Sequence, residues 1–278
     1  MNQLTPEESL AVRRMSRDIR VDILKMITQA QSGHTGGSLS IADLMALLFF
    51  HEMNIDPKNP RWEDRDRLVL SKGHGAPALY AALAEKGYFP KEELHHLRKI
   101  NSLLQGHPDM KHIPGVDMTT GSLGQGFSAS CGMALAARMD RAPWRVFAVL
   151  GDGELEEGQV WEAAMFAGYY HLDHLTAFVD HNGLQIDGPV TEVMSPLPIG
   201  EKFAAFGWHV IETDGHRVEA LHESIEEARS VQGKPTVIVM KTIKGRGVPE
   251  VENQVDWHGK APTEEECKHF LSEVEVLQ

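Results

Sequence analysis

Apolar residues recur at helical spacing from the start of the chain: Leu10, Met15, Ile19, Ile23 and Ile27 predict a helix to about Ala30. Thr5-Pro6-Glu7-Glu8 reads as its start, with Thr5 as cap, Pro6 at the first position and Glu8 closing a capping box. A polar glycine-rich loop, QSGHTGGS, interrupts, and Ser40 and Asp43 restart a helix through Phe50. RLVLS (67–71) is a short strand, followed by a helix of small residues over 76–85. Pro90 opens a further helix, KEELHHLRK, and a long loop covers 101–120. GSLGQGFSASCGMALAARM then reads as a helix whose small residues allow close packing. RVFAVL (145–150) is a continuous apolar run, as expected for a strand with both sheet faces covered. Helix 155–170, strand LTAFVD (175–180), strand WHVIET (208–213), helix 217–231 and strand PTVIVMKT (235–242) follow. A glycine-rich loop and tail begin at about 245, and a polar helix closes the chain.

Strands alternating with helices predict an α/β fold, with a mainly parallel sheet and helices on both faces. There is no internal repeat, low-complexity linker or long charge block, so one domain over 1–278 is expected.

Charge narrows the partners. The formal net charge of −13 argues against nucleic acid and against an anionic membrane surface. The start MNQLTPEESL lacks a basic stretch and an apolar core, and LMALLFF is too short to span a bilayer. Cys131 and Cys267 stand far apart and form no Cys-x-x-Cys pair, which suggests free thiols in a reducing compartment. A cytoplasmic protein is the expectation.

Gly151-Asp152-Gly153 falls at the carboxyl end of a strand, where open α/β sheets bind ligands. The next strand ends in Asp180-His181-Asn182-Gly183-Leu184. Asp152, the Asn182 amide oxygen and the Leu184 carbonyl would give a divalent cation three oxygen ligands, with room left for phosphate oxygens. Such a cation would also offset the charge of Glu154, Glu156 and Glu157 against a bound anion. The plainer alternative is a tight turn with Asp152 as a helix cap. No G-x-x-x-x-G-K-[ST] loop is present, and GSLGQG does not fit the dinucleotide fingerprint.

Four of the fifteen histidines, His34, His74, His107 and His258, lie in loops beside glycine or between glycine and proline. Loops on a rigid scaffold commonly carry chemistry, and imidazoles exchange protons near neutral pH. Neither a zinc-ligand spacing nor a nearby cysteine accompanies them.

These residues bring out a resemblance. Asp152 in Gly-Asp-Gly, followed thirty residues later by Asn182, resembles the thiamine-diphosphate motif of transketolases and their relatives. SGHTGGSLS, RLVLSKGHGAPALYAAL, GHP, PGVDMTTGSLGQG, GDGELEEGQVWEAA, DHNGLQIDG and WHGKAP, in this order, resemble the N-terminal half of transketolase from about residue 10 to 262.

The resemblance implies that Asp152, Asn182 and the Leu184 carbonyl hold Mg²⁺ (with Ca²⁺ or Mn²⁺ as substitutes) and, through it, thiamine diphosphate. It implies that His74, Gly121, Leu123, Gly151, Gly153 and His258 also contact the cofactor. His34, His107 and His258 would face the sugar, His74 would complete the catalytic histidines, and Glu157 would lie at an interface between two active sites. Thr35 stands where the family usually has proline.

Full transketolases continue into a pyrimidine-binding domain, which supplies a glutamate to the cofactor ring, and a C-terminal domain. The chain thus resembles the first subunit of a split transketolase. It would transfer a two-carbon ketol unit from a ketose, or its phosphate, to an aldose acceptor. It would be inactive without a separately encoded second subunit, two copies of each being expected. Ordinary pentose phosphates and branched or sulfonated sugars remain open as substrates.

Alternatives are the alpha subunit of a 2-oxo-acid dehydrogenase, which would not be expected to carry SGHTGGSLS and TTGSLGQG, and a 1-deoxyxylulose-phosphate synthase, normally three domains on one chain. A non-catalytic cofactor-binding homologue would have no need of all four histidines.

Overall fold

The computed structural model describes residues 3–276; the first and last two positions of the expected 1–278 domain lie outside the described residues. Helix α1 (Pro6–Ala30) starts with the capping box as read: the Thr5 hydroxyl accepts from Glu8 N, and the Glu8 carboxylate accepts from Thr5 N at 2.8 Å. Then come α2 (Thr35–Leu39), α3 (Ala42–Leu47), β1 (Arg67–Leu70), α4 (Ala76–Lys86), α5 (Gln125–Asp140), β2 (Val146–Gly151), α6 (Gly158–Tyr169) and β3 (Leu175–His181). A small hairpin, β4 (Leu184–Gln185) and β5 (Gly188–Pro189), leads to α7 (Val190–Val193) and α8 (Ile199–Ala205). The chain finishes with β6 (His209–Asp214), α9 (Val218–Ser230), β7 (Thr236–Lys241) and α10 (Glu264–Glu275).

Five strands form one wholly parallel sheet in the order β1-β2-β3-β7-β6. The apolar strand runs serve two cores at once, because successive side chains point to opposite faces. Phe147, Val149, Phe178, Ile238 and Met240 pack on the side of α1, α3, α4, α9 and α10. Val146, Ala148, Leu150, Ala177, Val179, Val237 and Val239 pack on the side of α5, α6 and α8. Each fully buried aliphatic or aromatic side chain contributes about 1.5–3 kcal/mol, so both helical layers are firmly held.

Several boundaries depart from the sequence reading. The expected loop QSGHTGGS is helical from Thr35 to Leu39, and all five of those residues are buried. The helix expected to run through Phe50 gives way to a π turn over Leu48–Glu52. KEELHHLRK is a 3-10 segment over Lys91–His96; Arg98 then takes a left-handed φ of 59° and its N–H donates to Leu104 O at 2.8 Å, so the chain turns back. α5 begins at Gln125, since Gly121 and Gly124 have φ of 141° and 81°, outside helical geometry. The helix expected from 155 begins at Gly158, after a 3-10 turn over Gly153–Glu156. The hairpin, α7 and α8 have no counterpart in the sequence reading, being too short to show a period.

Both cysteines are buried and free, and burial pushes the Cys131 thiol up to about 12. Among the described residues, no helix is long and apolar enough to cross a membrane.

Candidate functional site

The carboxyl ends of β1, β2, β3 and β7 meet at a cleft of about 190 Å³. Its floor comes from the two turns singled out in the sequence. Asp152 is buried; its Oδ1 accepts from Gly153 N at 2.9 Å and its Oδ2 from Gly183 N at 2.6 Å and His181 Nδ1 at 3.1 Å. The β2 turn and the β3 turn are therefore joined through one carboxylate. That bond to Asp152 raises the His181 imidazole above its ordinary range. Asn182 donates its amide to Asp180 Oδ2 at 3.0 Å and accepts from Leu184 N at 3.1 Å, so both ends of the amide are oriented.

Three of the four loop histidines come together at the cleft. The rings of His34, His74 and His258 form a triangle, with centroids 5.2, 5.3 and 5.4 Å apart. His74 reaches its place through Gly73, where an added Cβ would lie 2.6 Å from Gly121 N. Burial lowers all three imidazoles, the nearby Lys72 and Lys244 adding to it: His34 to about 4, His258 to about 3 and His74 well below its ordinary value. The rings are neutral at neutral pH, so each offers one donor and one acceptor nitrogen. His34 Nδ1 is buried with no hydrogen-bond partner.

The remaining expected site residues are distributed differently. Gly151, Gly153, Leu123 and Leu184 line the cleft, whereas Gly121 is not part of its lining and sits between Gly73 and His107. His107 is exposed beside Gly121 and, among the described residues, makes no ring contact with the three clustered histidines; partial desolvation and then Arg98 lower it. Glu157 is exposed at the cap of α6 and does not line the cleft.

The acids behind Asp152 part company. Glu154 turns inward, where Ser71 Oγ, Gly124 N (2.8 Å) and Gly151 N (3.1 Å) donate to it, and burial raises its carboxyl. Glu156 accepts from the Gln185 amide.

Two lysines were not singled out from the sequence. Lys72 pairs with Asp180 at 2.5 Å and donates to Gly37 O at 2.8 Å. Lys244 Nζ lies 3.2 Å from Leu184 O and 2.8 Å from His258 Nδ1, and burial followed by Lys72 lowers it to about 8. Both lie just past strand ends, which was the available signal; their burial is a tertiary property. Asp180 was also missed. It collects donors from Ser40, Lys72, Asn182 and Thr242.

The donor chemistry fits a cation and a diphosphate. A carboxylate, an amide oxygen and a carbonyl are hard ligands of the kind Mg²⁺ takes. Among the described residues Lys244 has no carboxylate within ion-pair distance, so its charge is available to an anion. The partnerless nitrogen of His34 marks a place for a polar ligand atom. Elsewhere, His51, Glu52 and His222 are grouped closely enough for a metal, but Glu52 is already bound by His222 at 2.6 Å and Arg229 at 2.6 Å.

A family described as "Transketolase, thiamine diphosphate binding domain" matches residues 11–274. Over 269 residues the chain is 50% identical to the "6-deoxy-6-sulfo-D-fructose transketolase subunit SqwG" of Clostridium sp. (strain MSTE9), covering 97% of this chain and 98% of that one. Against the transketolase of Rattus norvegicus it is 44% identical over 268 residues, 95% of this chain but 42% of the rat protein. A solved transketolase from Leishmania mexicana superposes with a TM-score of 0.90 at 32% identity, covering 95% of this chain and 41% of that one.

Proposed function

The chain belongs to the transketolase family, in its thiamine-diphosphate-binding domain, and on that premise we propose that it is the cofactor-binding subunit of a split transketolase. It transfers a two-carbon ketol unit from a ketose to an aldose together with a separate subunit that carries the pyrimidine-binding domain. The observation that carries this reading is the triangle of neutral histidines set over the Asp152–Asn182 turns, with Lys244 between them.

Thiamine diphosphate, when bound, supplies the electron sink that lets the bond beside the ketose carbonyl break. Asp152, Asn182 and the Leu184 carbonyl hold the divalent cation, and Lys244 offsets diphosphate charge. His34 and His258 hydrogen-bond the sugar hydroxyls: the lowered pKa of His34 keeps a lone pair free to accept a proton from them, while His258, whose Nδ1 accepts from Lys244, presents its other ring nitrogen as a donor. His74 orients the cofactor, and His107 reaches the sugar from behind Gly121. Glu157, exposed at the start of α6, contacts a second copy across the assembly.

The donor is 6-deoxy-6-sulfo-D-fructose. This rests on 50% identity, over nearly the whole of both chains, to a relative named for that sugar. The test is reconstitution: this chain and a purified pyrimidine-domain subunit are mixed with thiamine diphosphate, Mg²⁺ and an aldose, against the sulfo sugar and its 6-phosphate counterpart. Transfer should need both subunits and run faster with the sulfo sugar. An assembly that binds the cofactor yet transfers from neither ketose would overturn the reading.

A further inference from the structure

The backbone around Thr35 joins the two segments that carry His34 and His258. Thr35 is fully buried, and its hydroxyl donates to Lys260 O at 2.7 Å, a bond between residues 225 positions apart. The other ties of the 258–260 strap run through side chains, His258 to Lys244 at 2.8 Å and Lys260 to Glu266 at 3.3 Å and over the Trp257 ring, whereas Thr35 holds its backbone. Gly259 and Lys260 are exposed, and a Cβ at Gly259 would meet open space. α2 is five residues long with no side-chain cap at His34, too short to hold its place without tertiary ties. Among the described residues the His34 Nδ1 has no hydrogen-bond partner, so that ring is placed by its backbone and by its packing against the His74 and His258 rings. The His258 ring, by contrast, is tied to Lys244.

Neighbouring ties run the same way. Gly245 N donates to Gly36 O at 3.0 Å, and Gln31 Nε2 donates to Pro262 O at 3.1 Å. At Gly36 the two segments approach so closely that a Cβ would lie 3.1 Å from Trp257 O.

We propose that Thr35 is a positioning residue, whose hydroxyl pins the 258–260 strap to α2 and thereby fixes the edge-on His34–His258 pair at 5.4 Å. The inference rests on the proposed role of those rings toward the sugar. A valine has the shape of threonine without the donor, so Thr35→Val releases the strap while keeping the packing. Thr35→Ser keeps the donor.

The experiment records histidine ring ¹⁵N–¹H spectra of the free chain, then kcat and KM of the reconstituted assembly. Thr35→Val should shift the His34 and His258 ring signals and leave those of His51 and His269 in place. It should lower kcat by about 10-fold or more, given that a 1 Å misplacement can cost about 100-fold, with the cofactor requirement unchanged. Thr35→Ser should restore both. Thr35→Ala carries the same expectation should the valine variant not fold. Unmoved ring signals with unchanged kcat in Thr35→Val, or a serine variant that fails to restore, would overturn the proposal. Because the spectra read the tie on the free chain, an inactive wild-type assembly would count against the proposed reaction and not against the tie.

Discussion

Lys72 and Asp180 form an ion pair at 2.5 Å, their side chains 1% and 0% exposed, directly beneath the cleft. Removing one partner leaves the other charge buried and uncompensated. Lys72→Met should therefore lower stability by about 3–5 kcal/mol. Urea unfolding of the purified chain checks this, and a loss below about 1 kcal/mol would contradict it.

The same pair sets an acid limit. Burial alone would raise the Asp180 carboxyl, but Lys72 and the hydrogen bonds of Thr242 and Ser40 bring it down to about 2 from an ordinary 3.8. A depressed folded pKa contributes stability above the unfolded value and loses it as pH falls toward the folded one. Asp180 should thus add acid sensitivity between pH 3.8 and about 2. Stability against pH for wild type and Asp180→Asn would show the two curves converging in that window.

The clustered histidines act in the same direction at higher pH. With His34 at about 4 and His258 at about 3, the unfolded chain binds protons below pH 6.5 that these folded rings refuse. Stability should fall as pH drops from 6.5 toward 3, and Thr35→Ser should not alter that slope. In the assembly, protonation of these rings should affect kcat/KM only below about pH 5, following their lowered values. A limb near pH 6.5 that disappears in His258→Asn would contradict it.

Lys244 supplies a further test. Replacing it with methionine removes a cation that helps lower His258, so the His258 pKa should rise. Thiamine-diphosphate affinity of the reconstituted assembly should fall, by about 10–100-fold if Lys244 acts as strongly as an outer-shell group. Ring titration by NMR and calorimetry report the two effects separately.

Asp152→Ala and Asn182→Ala should each weaken Mg²⁺-dependent cofactor uptake by more than about 100-fold, beyond the effect of an outer-shell change. Calorimetry on the assembly measures it; undiminished uptake in either variant would remove the cation from this cleft.

Much of this was legible in the chain itself. The runs 146–150, 177–179 and 237–240 are apolar without interruption because both faces of their strands are covered, and that pattern reads directly as a buried parallel sheet. The Asp152 and Asn182 turns follow from the strand ends, and three of four loop histidines converge as glycine-flanked loops suggest. Lys72, Lys244 and Asp180 were less visible, since a buried charge has the same letter as an exposed one. The helical turn at Thr35–Leu39 was hidden because its glycines read as loop; packing against Lys244 and Trp257 selects Gly36. The inward turn of Glu154 depends on Gly124 N and Ser71, neither of which adjoins it in sequence.

The insertion of β7 between β3 and β6 has a consequence for biosynthesis. When β6 emerges from the ribosome it has no neighbour to pair with, and it waits for residues 236–241. Lys244 and His258 emerge later still. A nascent chain can thus fold its first three strands early, but the berth for a coenzyme is finished only once residue 258 has been made.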